Sequence, residues 1–299
     1  MSSPQAFRRK INDRAKNVAA KSGGTSGEVL DRFIYERLLA RIFHQDPDGW
    51  LVKGGQALLR RYPQARHTRD LDLLCRSKGD LADAVTKLRV AAAIDLKEDF
   101  LRFEFYDAGA LIGEGHATRV RFQTYLGGKK VNTISVDLVA DHVPVGQPTR
   151  HPLGTSIPNN GLHDWPDIHL YPVIDHIADK ICAMYERHPS GPSIRFRDLA
   201  DLVLIALREE LDGAELHLAL HNEVRRRQQR GTILTLPAAF TIPDPATWPE
   251  GYRDIARTVR GLEDHQDLDR ATTLANRFVS PLLGPTSPGR WTPTRKSWV

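Results

Sequence analysis

Two stretches decide how this chain is read: Lys53-Gly54-Gly55-Gln56-Ala57-Leu58 and, a short way downstream, Arg66-His67-Thr68-Arg69-Asp70-Leu71-Asp72-Leu73-Leu74. The first follows the apolar run Trp50-Leu51-Val52 and opens a helical stretch over Gln56 to Tyr62. The second alternates aspartate with leucine, as a strand does when its polar side faces a cleft. Side chains two apart on a strand point to the same side, so Asp70 and Asp72 project together, ~6–7 Å apart along the chain. The glycine pair lets backbone approach an anion closely, and the helix after it offers its N-terminal amides.

These residue types suit one kind of chemistry. Magnesium favours one or two carboxylates, with phosphate oxygens and water completing its shell. Phosphoryl and nucleotidyl transfer use such ions to hold a triphosphate and to neutralise charge at the reacting phosphorus. An isolated Asp-x-Asp is common and is more often an exposed strand edge or turn. The glycine pair at a workable distance favours the metal reading.

Further candidates lie downstream. Asp137, in Ile134-Ser-Val-Asp-Leu-Val, is flanked by apolar residues on an expected central strand. A buried carboxylate is costly unless paired, protonated or metal-bound, so Asp137 is a candidate general base or third metal ligand. The plainer alternative is a hydrogen-bonded structural aspartate. Lys180 lies at the margin of the apolar stripe Ile174, Ile177, Ile181, Met184, where it could bind a triphosphate or simply extend along a helix edge. Asp198 and Asp201 share a face near the start of a helix. They either cap it and counter its dipole, or position Lys180 or a nucleotide.

Around these residues the pattern predicts a mixed sheet with helices packed on it. Residues 5–21 and Glu28–Phe43 read as helices, with Thr25 or Ser26 capping the second, and Asp80–Ala92 as another. Leu101–Tyr106, Thr118–Tyr125 and Val131–Val139 read as strands, the last two joined by a Gly127-Gly-Lys-Lys130 turn. A Pro- and Gly-rich passage, His142–Pro166, separates this part from a mainly helical half. There Pro172–His188, Ile194–Glu210, Ala214–Gln229 and Gly251–Val279 look helical. The expected division is residues 1–150, 151–285 and an irregular tail, 286–299.

The chain has 299 residues, 40% of them hydrophobic and 26% charged, as in an ordinary globular protein. No apolar run is long enough to span a bilayer, and the first residues lack the apolar stretch of a signal peptide. Cys75 and Cys182, far apart, cannot form a structural zinc set by themselves. A reducing, cytoplasmic setting is the simplest expectation. The net charge of +5 is unevenly spread. Arg8, Arg9, Lys10, Arg14, Lys16 and Lys21 stand against Asp13 alone, and Arg225-Arg226-Arg227 forms a second cluster. Such patches are either solvated helix faces or contacts to a polyanion.

The ordered set Lys53-Gly54-Gly55, Arg66-x-Thr68-x-Asp70-x-Asp72, Asp137, Lys180 and Arg197-Asp198-Leu-Ala-Asp201 resembles the AbiEii-like nucleotidyltransferase toxins, including the mycobacterial MenT group. The resemblance runs from Phe33-Ile-Tyr-Glu-Arg-Leu-Leu to Phe240-x-x-Pro243 and Trp248-x-x-x-Tyr252. It implies an α+β fold: a DNA-polymerase-beta-like lobe with a mixed sheet, a helical C-terminal lobe, and the site in the cleft between them. It further implies a cytoplasmic toxin restrained by a separately encoded antitoxin. The reaction implied adds nucleotides from a nucleoside triphosphate to the 3′ end of tRNA, with magnesium or manganese, blocking aminoacylation and translation.

By motif, Asp70 and Asp72 correspond to the metal ligands, Lys180 to the essential lysine, and Arg66 and Thr68 to the segment lining the phosphates. The last acidic position falls on Asp198 or Asp201. Thr68 stands where the family usually has serine, and Gly54-Gly55 where many nucleotidyltransferases have glycine-serine. The basic clusters at Arg8, Arg9, Lys10, Arg14 and Arg225–Arg227 would contact the tRNA backbone. Competing expectations are transfer to a protein or small molecule, with Thr68 itself an acceptor when an antitoxin acts on it, and an inactive binding module.

Overall fold

Lys53 closes one strand and Asp72 lies in the next, so the decisive stretch sits on two neighbouring strands. The computed structural model describes residues 3–22, 24–66, 68, 70–76, 79–111, 114–187 and 193–299. His67 and Arg69 of the motif, and His188 at the end of one expected helix, lie outside these. The fold is mixed α+β and divides into two compact units. The first contains Met1–Gln56, Thr68–Val143 and Pro148–Leu170; the second contains Ala57–His67, Pro144–Gln147 and Tyr171–Val299.

The first unit is built on α1 (Pro4–Ser22), α2 (Ser26–Gln45), β1 (Trp50–Lys53), β2 (Leu71–Cys75), α4 (Leu81–Ala92), β3 (Leu101–Leu111), β4 (Glu114–Leu126), β5 (Lys129–Val139), β6 (Thr149–Pro152) and β7 (Asp167–Leu170). The short helix α3 (Gly54–Arg61) starts in this unit. Among the described residues the strands form one seven-stranded sheet in the order β3-β4-β5-β2-β1-β7-β6. β2 and β5 are parallel, and so are β1 and β7; the other neighbours are antiparallel. On β4 and β5, Val120, Phe122, Ile134, Val136 and Leu138 are buried while the alternate residues carry polar groups, the period of two that one packed face requires.

Local chemistry explains the helix ends. Thr25 caps α2 through a capping box with Glu28, and Asp80 caps α4 the same way with Asp83. Gly127 and Gly128 take φ of +58° and +79°, the left-handed pair that turns β4 tightly into β5.

A buried ion cluster ties α2 to the start of β3. Asp99 accepts hydrogen bonds from Arg37 at 2.7 Å and from Arg41 at 2.8 Å to each oxygen, and all three side chains are fully buried. Arg41 also donates to the carbonyl of Leu101, and the two guanidiniums lie over the rings of Trp165 and Phe103. Burial pushes the Asp99 carboxyl up, but the bonds and charges of Arg41 and Arg37 outweigh it and hold it below the usual range.

The second unit contains α5 (Val173–Tyr185), α6 (Phe196–Ala206), β8 (Leu211–Asp212), α7 (Gly213–Gln229), α8 (Trp248–Ala256), α9 (Leu268–Leu283), β9 (Arg290–Thr292) and β10 (Ser297–Trp298). Its core gathers Ile177, Ile181, Leu199, Leu202, Trp248, Tyr252 and Phe278.

Three expectations are corrected. β6 and β7 extend the sheet, so residues 151–170 belong to the first unit and the passage His142–Pro166 is not a separator. β6 is an edge strand of four residues with a proline, too short to show a period. The pattern Gly251–Val279 is not one helix: a 3-10 turn at Glu263–His265 intervenes, and Asp267 caps a fresh start at α9. The segment after Pro285 is not irregular, because β9 and β10 join β8 in a small sheet. Fully buried Trp291 donates to the carbonyl of Ala206 at 2.8 Å, and Trp298 stacks on Phe278.

Asp99→Asn keeps the shape of the side chain but leaves two buried guanidiniums uncompensated, which should cost about 3–5 kcal/mol. Because the folded carboxyl titrates below its unfolded value, wild type holds this advantage above about pH 4 and loses it as pH falls further. Urea unfolding of both proteins between about pH 3 and pH 8 measures the difference. Equal stability at neutral pH would show that the cluster contributes nothing.

Candidate functional site

Strand register brings the sequence candidates of the first unit together. Asp72 on β2 stands opposite Lys53 on β1 and opposite Asp137 on β5, and Asp137 stands opposite Arg119 on β4. Residues opposite one another share a face, so one row across the sheet reads Lys53, Asp72, Asp137, Arg119. Asp70 precedes β2 by one residue and is exposed, whereas Asp72 is half-buried.

The glycine pair is fitted to these carboxylates. Gly54 has φ +60°, and a Cβ added there would overlap the carboxylate of Asp72. A Cβ on Gly55 would come within 2.8 Å of Cβ and Cγ2 of Thr68. Thr68 in turn accepts a long hydrogen bond from the Asp70 amide at 3.4 Å, and its carbonyl accepts one from Gln56 at 3.5 Å. Gly54, Gly55, Thr68, Asp70 and Asp72 therefore form one packed group.

Arg119 is a member of this candidate row that reading of the sequence missed. Its Nε and Nη2 donate to the two oxygens of Asp137 at 2.7 and 2.6 Å. The Asp137 hydrogen bonds, and then the charges of Asp137, Asp70 and Asp72, hold its guanidinium firmly protonated. A signal was present: Arg119-Val-Arg121-Phe-Gln123 alternates, placing the arginines on the polar face. Tyr35 of α2 is a second residue that it missed. Its hydroxyl donates to the Ser135 carbonyl at 3.4 Å, and burial, with the charges of Asp70, Asp31 and Asp137 adding, pushes its pKa up to about 12.

Among the described residues no group of three His, Cys, Asp or Glu side chains has the spacing to hold a metal ion. Asp137 has both oxygens engaged by Arg119, so the expected set of three ligands is not assembled. Asp70 and Asp72 still fit a hard divalent ion, since magnesium needs only one or two carboxylates when phosphate and water supply the rest. Asp72 lies against Gly54, where α3 begins with the free amides that a helix N-terminus offers to anions.

In the second unit Lys180 is buried and donates to Asp198 at 2.8 Å and Asp201 at 2.6 Å. Arg66 donates to both oxygens of Asp201, at 3.2 and 3.1 Å, and Arg195 approaches Asp198 at 3.7 Å. Burial pushes the Lys180 amine down, yet the charges of Asp198 and Asp201 outweigh it and raise its pKa. Burial likewise pushes Asp198 up, and Lys180 and Arg195 bring it below its ordinary value. Both aspartates are bonded to the lysine, and no side chain caps α6. Arg66, expected among the phosphates, is half-buried and paired with Asp201.

The basic clusters are placed unequally. Arg226 and Arg227 form short ion pairs with Glu223, and Arg227 adds one to Glu186 at 2.6 Å, which leaves Arg225 as the exposed member. On α1, Arg9 and Lys10 are exposed, Arg8 is half-buried, and Arg14 donates to the carbonyls of Pro158 and Asn159.

Aspartates gathered on neighbouring strands beside a glycine-opened helix suit nucleotide transfer, and the comparisons with known proteins name that class. The sequence matches, over residues 37–274, the family described as the nucleotidyl transferase AbiEii toxin of type IV toxin–antitoxin systems. The chain belongs to this family of nucleotidyltransferase toxins. Its fold is similar to that of MenT4, a nucleotidyltransferase toxin from Mycobacterium tuberculosis H37Rv, with 16% identity, 91% of this chain and 97% of that one covered, and a TM-score of 0.53. JHP933 from Helicobacter pylori gives a looser likeness, with 16% identity, 83% and 91% covered, and a TM-score of 0.45. No curated protein matches the sequence.

Gly54→Ala should displace the Asp72 carboxylate and strain the turn by about 1–3 kcal/mol. Nucleotide transfer should fall at least about 100-fold, the effect of losing roughly 2.7 kcal/mol at the transition state, while circular dichroism shows a folded chain. Near-normal transfer by this variant would mean that the Gly54–Asp72 contact is not needed.

Proposed function

We propose that this toxin transfers a nucleotide from a nucleoside triphosphate to the 3′ end of tRNA in the cytoplasm, which blocks aminoacylation and translation. The observation that carries the reading is the row of Asp72 and Asp137, with Asp70 two residues away, beside the Gly54–Gly55 turn. Asp70 and Asp72 would hold magnesium or manganese, which supplies charge neutralisation at the triphosphate.

The chain's own residues do the rest. The amides that open α3 at Gly54 and Gly55 receive phosphate oxygens, and Thr68 fixes the approach of that turn to Asp70. The 3′-hydroxyl oxygen attacks the α-phosphorus, the bond to pyrophosphate breaks, and the hydroxyl proton passes to Asp137 as Arg119 releases one of its oxygens. Arg119 then carries its charge toward the phosphoryl group. Within the second unit, Asp198 and Asp201 keep Lys180 protonated and oriented, ready to offer a fixed positive charge to a phosphate oxygen.

Exposed Arg9, Lys10 and Arg225 favour a polyanionic acceptor over a small neutral one. Membership of a type IV toxin–antitoxin family implies a cognate antitoxin. No helix among the described residues is long and apolar enough to cross a membrane.

The test incubates purified protein with total tRNA, magnesium and each labelled nucleoside triphosphate in turn, beside Asp70→Ala protein. Label should enter tRNA from a preferred triphosphate, vanish in Asp70→Ala, and vanish when a chelator removes divalent ions. Label that enters a protein acceptor while tRNA stays blank would overturn the tRNA assignment.

A further inference from the structure

We infer that the turn between β4 and β5 and the exposed face of α1 form one composite phosphate-binding surface, which grips the duplex part of the RNA acceptor away from the carboxylates. This deepens the tRNA reading above and rests on it. Sequence separates the two elements by more than a hundred positions, but the fold seats them together. A Cβ on Gly127 would overlap the carbonyl of Pro4 and lie 3.3 Å from Cβ of Arg8, so the turn rests on the first turn of α1. Phe7 of α1 packs against Phe100, whose carbonyl accepts the Gly127 amide at 3.0 Å, which fixes both elements to the same corner.

That corner brings Arg8 of α1 beside Lys129 and Lys130, with Arg9 next to Arg8 on the helix; Arg9 and both lysines are exposed and Arg8 is half-buried, while the Lys10 ammonium lies toward Gly161. Among the described residues no carboxylate forms an ion pair with Arg8, Arg9, Lys129 or Lys130, whereas Lys16 is answered by Asp13 and Arg226 and Arg227 by Glu223. Beside them Arg102 lies over the ring of Tyr125, and Tyr125 stands opposite Lys130. Among the described residues, none of the large exposed apolar side chains belongs to this corner. A protein partner needs buried apolar anchors, while a phosphate backbone binds through charge alone, so the surface fits nucleic acid.

Position supports the same occupant. β5 runs from Lys129 to Asp137 at about 3.4 Å per residue, which puts the corner about 27 Å from the reacting carboxylates. That separation lets a stem rest on the basic corner while a single-stranded 3′ end reaches Asp70 and Asp72.

Binding tests it without relying on transfer. Fluorescence anisotropy of labelled tRNA is followed in Asp70→Ala protein, without nucleotide, from about 50 to 200 mM salt, a range over which phosphate contacts weaken steeply. Adding Lys129→Ala and Lys130→Ala should raise Kd roughly tenfold and lower the slope of log Kd against log salt by about one to two, near 0.9 per phosphate contact. Adding Arg253→Ala and Arg257→Ala instead removes equal charge from exposed positions of the second unit and should change neither quantity. Equal behaviour of the two variants, no salt-dependent tRNA binding at all, or displacement of tRNA by polyglutamate at equal charge concentration would each overturn the inference. Loss of label transfer alone would count against the reaction and leave these binding results to be read by themselves.

Discussion

Asp72 and Asp137 face one another on parallel neighbouring strands, and Asp70 lies two residues before Asp72, just outside its strand. Like charges directly opposite on a sheet repel, so the arrangement persists only with a cation close at hand. Arg119 supplies it by a two-pronged bond to Asp137 from the strand on the other side. The constraint spreads outward from there. Gly54 must be glycine because the Asp72 carboxylate occupies the space of a side chain, and Gly55 must be small because Thr68 does. The turn, the helix that follows it and the strand carrying the aspartates are thus locked to one geometry. A divalent ion with a triphosphate would take over part of the compensation, freeing Arg119 for the reacting phosphate.

Elsewhere the chain solves the same electrostatic problem by closing charges on one another. Asp99 answers Arg37 and Arg41, Lys180 answers Asp198 and Asp201, and Glu223 answers Arg226 and Arg227. The first two clusters join different elements and so fix a helix in position as well as neutralising charge; the third lies within α7, which Arg227 ties to Glu186. Buried pairs of this kind add little stability over apolar packing, but removing one partner is severe. A mild overall surplus of positive charge therefore conceals two populations, arginines spent internally and a few lysines and arginines left for solvent.

What could be read in advance followed from periodicity. The Asp-Leu-Asp alternation, the Gly-Gly-Lys-Lys turn, the Thr25 cap and the long amphipathic helices all declare themselves within a few residues, because strand and helix periods are local. Arg226 and Arg227 look like a solvated cluster for the opposite reason: Glu186, which takes one of them, lies beyond the C-terminal end of another helix. The buried fate of Arg37 and Arg41 depends on Asp99, far along the chain. β6 and β7 are four residues each and show no period, so a Pro-rich passage concealed the far edge of the sheet. The C-terminal segment is similar. Proline, serine and threonine suggest irregularity, but Trp291 and Trp298 pack on Phe278, a partner that only the folded chain provides. Of the site, the carboxylates, glycines and Lys180 were legible; Arg119 and Tyr35 needed strand register to connect them with Asp137.

The most direct test of the central claim asks which phosphate moves. Wild-type protein is given one triphosphate labelled at the α-phosphate and, in a parallel reaction, at the γ-phosphate, with Asp72→Asn as reference. Transfer through the aspartate row predicts α-label in the acceptor, pyrophosphate released in equal amount, and neither in Asp72→Asn. Acceptor labelled from the γ-phosphate, with nucleoside diphosphate released, would contradict it and make this chain a phosphoryl transferase instead.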